Sequence, residues 1–546
     1  MKKILLNISS LLTAIITISM FIACSSDDNL DNKKSEDSKQ QLTFTLTDED
    51  FNADEDVSVT RVGKQSLEVA KDTIDLGNDI FAEATLERDT ARDVKPATRA
   101  VGMSNGTYTI LAYQSGVLKG MLKGTVTSNV FTATSANQSL SLDPGTYTFY
   151  CCNDKVNISG NNLTVNRADA GTARIGVTTK VITATPAKQK VDFTMKHVGA
   201  RVRIKVSGYM PSYSTADFKT KNNIPGSTTL NATTGSYSTD NSVAANTSLS
   251  AGALFYNAYS KGTGNTFDAL GDYYYLLPGT DLRDLMVNFS SLKIYKKEMS
   301  NISLNGNGYL YSASTTQNGS YTLRITLKYN YKFLFQDGTV GKLGTSGHGN
   351  PIAVVINDNN GTPQSGTAMA LEDSYTGTTY PESDMPSSYS ITSFYSMEDA
   401  GQDKNGYSKT WNQFPSYSPA VYAARYGQSG SYRQPFASAT NVSKWYLPAA
   451  GEWADACEKL FFGSHITSAG SFEWHATCFP GAIETFIGGS MSQWYWTSST
   501  LYSSWIGFGI NGSNSSPEFY AHMETTSGSG SFTIPTALSV RSFIHF

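Results

Sequence analysis

The chain has 546 residues, a net charge of −4 and only 16% Asp, Glu, Lys and Arg. That length calls for several domains, and so small a charge gives no reason to expect nucleic acid or an acidic substrate. Its 31 Tyr, set among Ser, Thr, Asn and Gly, are the texture of an extracellular all-β protein.

Residues 1–24 read as an export signal. Lys2 and Lys3 form the charged start, and Ile4 to Ile22 the apolar core. Phe21-Ile22-Ala23-Cys24 fits a lipobox, with Cys24 as the lipidated residue. The competing reading, one transmembrane anchor, is weakened by Asn7, Ser9, Ser10, Thr13, Thr17 and Ser19.

Residues 25–99 are crowded with acids, from Asp27 to Asp56. Gln41 to Thr47 alternates and could form one strand. The rest repels itself and has little to bury, so an acidic tether or pro-segment is expected. It ends at Lys95-Pro-Ala-Thr-Arg99-Ala100, suited to trypsin-like cleavage between Arg99 and Ala100.

Short strands follow. Tyr108, Ile110 and Ala112 alternate with Thr109 and Leu111. Leu140 and Leu142 run through Asp143-Pro-Gly145 to Tyr147, Phe149 and Cys151. Val191, Phe193 and Met195 share a face, and the phase then shifts before Val198, Ala200, Val202, Ile204 and Val206. A strand cannot change faces without an irregularity, so a bulge or tight turn is expected near His197. Asp272 to Leu277, Leu285 to Ile294 and Tyr321 to Tyr329 read as further strands. All seven Trp lie at or after Trp411, which sets residues 331–546 apart.

In that last part, Pro448 precedes Glu452 and an apolar helix face of Trp453, Ala456, Cys457 and Leu460, with Gly463 as the stop. Trp494, Trp496 and Ser498 share one strand face. Trp505 alternates with Ile506, and Gly507 and Gly509 follow. Exposed, these Trp could stack on a sugar ring or fill a partner's pocket; the other reading makes them core. Of the five Cys, Cys457 and Cys478 could pair as a disulfide or remain buried thiols. Cys151 and Cys152 are adjacent in a strand, so only one should face the core. The spacing of His465 and His475 does not make a metal site, and no cofactor is expected.

Thr98-Arg-Ala100, the paired strands of Asp192-Phe-Thr-Met-Lys-His-Val-Gly-Ala-Arg-Val202 and Leu277-Pro-Gly279 resemble the fimbrillin family, the type V pilins of Bacteroidetes. The resemblance covers about residues 40–330. It implies two transthyretin-like β-sandwiches, removal of the segment before the cleaved Arg, and assembly by donation of a strand into the groove left behind. The strand–Leu-Pro–helix element, Tyr495-Trp-Thr-Ser-Ser499 and Val540-Arg-Ser-Phe543 resemble the lectin-like, formylglycine-generating-enzyme-like fold over about residues 331–546. The late reactive cysteine pair of those enzymes has no counterpart here, and neither do the sugar-holding triplets of calcium-dependent lectins.

The expected fold is therefore mainly β: two transthyretin-like sandwiches followed by an α+β C-type-lectin-like domain. The expected division is signal 1–24, tether 25–99, sandwiches 100–245 and 246–330, and lectin-like domain 331–546. The lectin-like resemblance implies that Lys332–Phe335 pairs with Leu538–Phe546, with Leu538, Val540, Ile544 and Phe546 on one face, locking the terminus inside the head. The expected function is that of a non-enzymatic fimbrial subunit at the cell surface, a tip adhesin held by a lipid anchor in the outer membrane before processing. Its partners would be other fimbrial subunits and a glycan or protein ligand, not nucleic acid. The alternatives are a surface lipoprotein that binds polysaccharide without polymerising, and an enzyme on the formylglycine fold.

Overall fold

The structure is a computed structural model. It describes residues 40–51, 68–88, 105–128, 130–134, 139–209, 213–249, 260–261, 267–299, 302–304, 314–344, 347–374, 378–388, 391–415, 417–427, 439–468, 471–476, 491–512, 519–526 and 534–546. Cys24, Arg99, Ala100 and Cys478 lie outside these residues, as does His475's side chain.

The chain is mainly β. The first sheet has eight strands, in the order Val130–Ala133, Val117–Thr127, Gly106–Gln114, Gly145–Asn153, Arg174–Ile182, Lys188–His197, Gln40–Asp48 and Leu140–Leu142. One face buries Ile110, Phe149, Cys151, Val191 and Phe193 in a core of its own. The other face presents Leu111, Tyr150, Cys152 and Ile175 to a four-stranded sheet whose Leu163, Val165 and Leu230 meet them. Both cysteines are therefore buried, in different cores, which corrects the expectation that only one would be. Alternation on a strand puts neighbours on opposite faces, and this sheet is covered on both.

The irregularity at His197 is real. Strand Lys188–His197 ends there, Val198 and Gly199 make the bend, and Ala200–Gly208 begins in a different sheet. The phase shift thus marks a handover between sheets rather than a bulge within one. The second sheet pair consists of a six-stranded and a four-stranded sheet. The six-stranded one runs Ser260–Lys261, Phe267–Leu276, Ala200–Gly208, Ser320–Tyr329, Ile80–Arg88 and Glu68–Gly77. Tyr213–Thr220 and Leu285–Ile294 pair in the four-stranded one. Ala200–Gly208 and Tyr213–Thr220 thus sit with the second pair of sheets, while Ser227–Asn231 and Ser236–Asp240 return to the first. No single cut near residue 245 separates the two.

The core then runs without a break into the C-terminal part. Phe462 packs against Tyr295 at 5.2 Å and Tyr329 at 5.0 Å between ring centroids. Tyr331 donates its hydroxyl hydrogen to the Leu460 carbonyl at 2.8 Å. Beyond this junction lie two five-stranded sheets and the helix Ala450–Leu460. The helix buries Trp453, Ala456, Cys457 and Leu460, as its spacing predicts. Trp453 stacks on Phe508 at 4.6 Å and on Tyr495 at 4.8 Å. The left-handed residue after the helix is Phe462, with φ 55°, not Gly463. Gly463 instead gives room, because a Cβ there would lie 2.8 Å from the Cys457 sulfur.

The closing residues differ from expectation. Phe543–His545 pairs with Thr367–Ala370, and Lys332–Phe335 sits two strands further along the same sheet. Leu538 and Val540 enter one core, Ile544 and Phe546 another, and Phe543 a third. Three cores meet at this segment, so no single strand face carries it. Gly366 and Phe546 exchange backbone hydrogen bonds at 3.1 and 3.2 Å.

Candidate assembly groove and head surface

Much of the segment upstream of Arg99 is not a solvated tether. Gln40–Asp48 lies inside the first sheet, parallel to Lys188–His197 and antiparallel to Leu140–Leu142. Leu42 and Leu46 are buried in the inner core, and Phe44 packs against it. The strand is seated by backbone bonds at both ends: the Gln41 N–H to the Ala187 carbonyl and the Glu49 N–H to the Met195 carbonyl, each 2.9 Å.

A second upstream element joins the second sheet pair. Glu68–Gly77 and Ile80–Arg88 form a hairpin whose turn residues Asn78 and Asp79 have φ of 53° and 62°. Positive φ at both central positions gives the two-residue turn that matches strand twist. Ile80–Arg88 pairs with Ser320–Tyr329 from Tyr321 to Tyr329 and buries Ile80, Ala82 and Ala84.

The acids of this segment meet cations of the body. Asp48 pairs with Arg174 at 3.2 Å, Glu49 with Lys196 at 3.8 Å, Glu83 with Lys328 at 2.6 Å and Asp79 with Lys342 at 2.7 Å. Counting charge within the segment alone gives self-repulsion. The folded chain offsets it with partners that lie far away in sequence.

Just past the leader strand, Phe51 drops between the two sheet pairs and is buried. Its ring lies flat on His197, 3.7 Å between centroids and 18° between planes. The Arg201 guanidinium stands 4.8 Å from its centroid, and Tyr275 lies 6.0 Å away. His197 Nδ1–H donates to the Gly171 carbonyl at 2.9 Å, so Nε2 accepts from Arg174 at 2.9 Å. Burial, and then Arg174, push the imidazole down to about 3, so it is neutral. Asn318 accepts from the His197 N–H at 3.2 Å and donates to Glu49 Oε1 at 3.2 Å and to the Asp50 carbonyl at 2.9 Å.

In the C-terminal part, Trp494, Trp496 and Trp505 are all buried in one core with Phe414, Leu447 and Leu538. Trp505, only 2% exposed, meets Phe414 edge-on at 5.9 Å. Trp496 donates its indole hydrogen to the Tyr380 carbonyl at 2.7 Å. Ile506 and Phe508 fill the opposite core with Trp453, so the sheet is covered on both faces. These Trp offer no surface to a ligand, which corrects the reading that exposed them. Cys457 is a buried free thiol, its pKa raised by that burial.

Among the described residues, the exposed aromatic surface of this part is made of tyrosines. Tyr395, Tyr417 and Tyr502 are 76%, 85% and 66% exposed, and Tyr422 and Tyr426 about half. Tyr395 and Tyr502 meet edge-to-face at 5.8 Å. Tyr422 and Tyr426, one turn apart on the helix Pro419–Tyr426, lie 4.9 Å apart. Tyr426 meets Trp411 at 5.9 Å, and Arg425 and Lys444 stand 4.9 and 4.5 Å from that indole. The sequence signal for them is an aromatic among Ser and Pro, as in Pro415-Ser-Tyr417-Ser and Tyr502-Ser-Ser504, where nothing apolar alternates with it. No group of three or more metal-binding side chains occurs among the described residues.

No known protein family matches the sequence, and no curated protein does. Several solved structures are similar. A candidate cell adhesion protein from Bacteroides uniformis is 13% identical, with 41% of this chain and 91% of that one covered and a TM-score of 0.28. A fimbrial protein from Bacteroides ovatus is 11% identical over 94% of this chain and 100% of its own, with a TM-score of 0.23. A fimbrial protein from Bacteroides vulgatus is 12% identical over 41% and 91%, with a TM-score of 0.27. Likenesses at these scores carry no weight for function, which rests on the geometry of the chain itself.

Proposed function

We propose that this protein is a cell-surface fimbrial subunit of the adhesin type, joined to its neighbour by accepting a strand and acting by binding rather than catalysis. The observation that carries this reading is the place of Gln40–Asp48. It fills an internal position between two strands of the body while lying upstream of Arg99. Cleavage at Arg99 would cut the covalent tie between that strand and its groove. The groove would then present two unpaired strand edges and an apolar floor, a template for another extended segment. The Phe543–His545 strand is an integral part of its own sheet, so that strand serves the head rather than a neighbour. The exposed tyrosines of the head supply the adhesive surface. Aromatic rings with a polar rim stack on sugar rings and fill protein pockets alike. A lipid on Cys24 would hold the unprocessed chain to the outer membrane.

The test is to follow the protein on the surface of cells carrying Arg99→Ala. The variant should keep its leader, stay with the membrane fraction and be missing from sheared fimbriae. The double variant Tyr395→Ala, Tyr502→Ala should still enter fimbriae but adhere less well. Normal incorporation of the Arg99→Ala protein with its leader still attached would overturn the strand-acceptance reading.

A further inference from the structure

The segment that seats in the groove does more than fill a sheet. Leu42, Phe44 and Leu46 point into the inner core, Asp48 and Glu49 meet Arg174 and Lys196, and Phe51 closes the series against His197. The residues around Phe51 are Gly171, Arg174, His197, Arg201, Tyr275 and Asn318, all downstream of Arg99. They stay with the body if the leader leaves. We infer that this junction is an aromatic socket that selects the incoming strand: the segment replacing the leader carries apolar residues at i, i+2 and i+4, acids at i+6 and i+7, and an aromatic ring at i+9. This inference rests on the strand-acceptance reading above and adds to it the chemistry of the partner.

The socket favours a ring for two independent reasons. A guanidinium over a ring face is drawn to the negative side of the π system. A neutral imidazole lying parallel to the ring offers a flat partner that an aliphatic chain cannot match in contact. A basic residue is disfavoured, because Arg174 and Arg201 already stand there. The backbone is read as well. Asn318 is oriented by the His197 N–H and spends its own amide hydrogens on Glu49 and on the Asp50 carbonyl. That fixes where the ring falls relative to the last paired residue, so a strand slipped by one residue would put its ring outside the socket. Such a slip would also turn its apolar side chains away from the core. The socket therefore sets both the identity and the register of the partner.

The experiment uses the full chain with a site-specific protease site placed at Arg99. After cleavage, fluorescein-labelled peptides of residues 40–51 compete for the groove and exchange is read by anisotropy. The native peptide and its Phe51→Tyr form should exchange in with similar affinity, and the Phe51→Ala peptide should bind at least tenfold more weakly. Placing Phe51→Ala in the leader itself should speed its replacement by native peptide at least tenfold. A body variant, Arg201→Gln, should narrow the gap between native and Phe51→Leu peptides. Equal binding of native and Phe51→Ala peptides overturns the socket and leaves strand exchange standing. If no peptide enters the cleaved protein with either leader, strand acceptance itself is wrong and the socket falls with it.

Discussion

Arg541 donates its Nε hydrogen to Asp373 at 2.8 Å inside the C-terminal core, with the arginine side chain fully shielded from solvent. The same carboxylate accepts from the Tyr495 hydroxyl at 3.0 Å and the Ser492 hydroxyl at 2.7 Å. Ser539 in turn donates to Ser492 at 2.7 Å. The pair joins the loop after Thr367–Ala370 to the segment before Phe543–His545, so it fastens the approaches to two strands that pair with each other.

Removing one partner of that pair leaves the other buried and uncompensated. Asp373→Asn or Arg541→Met is expected to cost about 3–5 kcal/mol. The double substitution Asp373→Leu with Arg541→Met removes both charges and should recover much of the loss. Urea unfolding of the three proteins checks this. A single variant as stable as the parent would show that the charges are compensated elsewhere.

How much of this was legible beforehand differs by element. The Ala450–Leu460 helix and the break at His197 follow from spacing, because one apolar face and one phase change are local facts. The covering of both faces is not local. Trp505 and Ile506 point to opposite sides, and each finds a core. Cys151 and Cys152 do the same in the first sheet. Strand order is equally hidden, since the pattern of Phe543–His545 suits any neighbour and the fold chose Thr367–Ala370. The leader's acids repel one another when taken alone, because the cations that pair with them, Arg174, Lys196 and Lys328, lie far along the chain. Phe51 is a lone ring in an acidic run, and nothing nearby in sequence shows what it touches.

The glycines beside the buried tryptophans make a second prediction. A Cβ on Gly509 would stand 2.8 Å from the Trp494 ring and 2.8 Å from His522 Nε2. Both neighbours are rigid rings in a packed core, so neither can yield by rotating a flexible end. Gly509→Ala should cost about 1–3 kcal/mol, whereas Gly344→Ala, with open space around it but φ of 83°, tests strain alone. Thermal unfolding of the two separates crowding from backbone effects. An unchanged midpoint for Gly509→Ala would mean that the sheet shifts to accept the methyl.

His197 predicts a pH dependence. Its folded pKa, about 3, lies below the ordinary imidazole value of 6.5. The unfolded state therefore binds the extra proton in the window between them, and stability falls as the pH drops from 6.5 towards 3. Arg174 and Arg201 face the ring and disfavour its charge, while the Gly171 carbonyl works the other way. Between pH 7 and 4.5 the loss from this one group is about 2–3 kcal/mol. Denaturant titrations at several pH values should show the slope, and His197→Gln should flatten it. An equal slope in both proteins would place the titration at other groups.

The last prediction separates the two sets of aromatics in the head. Trp505 sits in the core against Phe414, and cutting a ring of that size to a methyl leaves a cavity. Trp505→Ala should cost about 3–5 kcal/mol and lose adhesion only because the head unfolds. Tyr395 and Tyr502 project into solvent and touch each other edge-to-face. Their replacement should change stability by no more than about 0.5 kcal/mol. If this pair makes the adhesive contact, each ring contributes roughly 0.5–1.5 kcal/mol through stacking. The double variant Tyr395→Ala, Tyr502→Ala should then weaken binding by about tenfold at an unchanged melting temperature. The helix pair Tyr422→Ala, Tyr426→Ala gives the second arm, because those rings lie together beside Trp411 and the cations of Arg425 and Lys444. Adhesion of fluorescent beads carrying each protein to arrays of glycans and of surface proteins reads the outcome. A loss confined to one pair locates the contact on that part of the surface. Full adhesion by both double variants would exclude these two pairs and send the search for the ligand site elsewhere, first to Tyr417, 85% exposed.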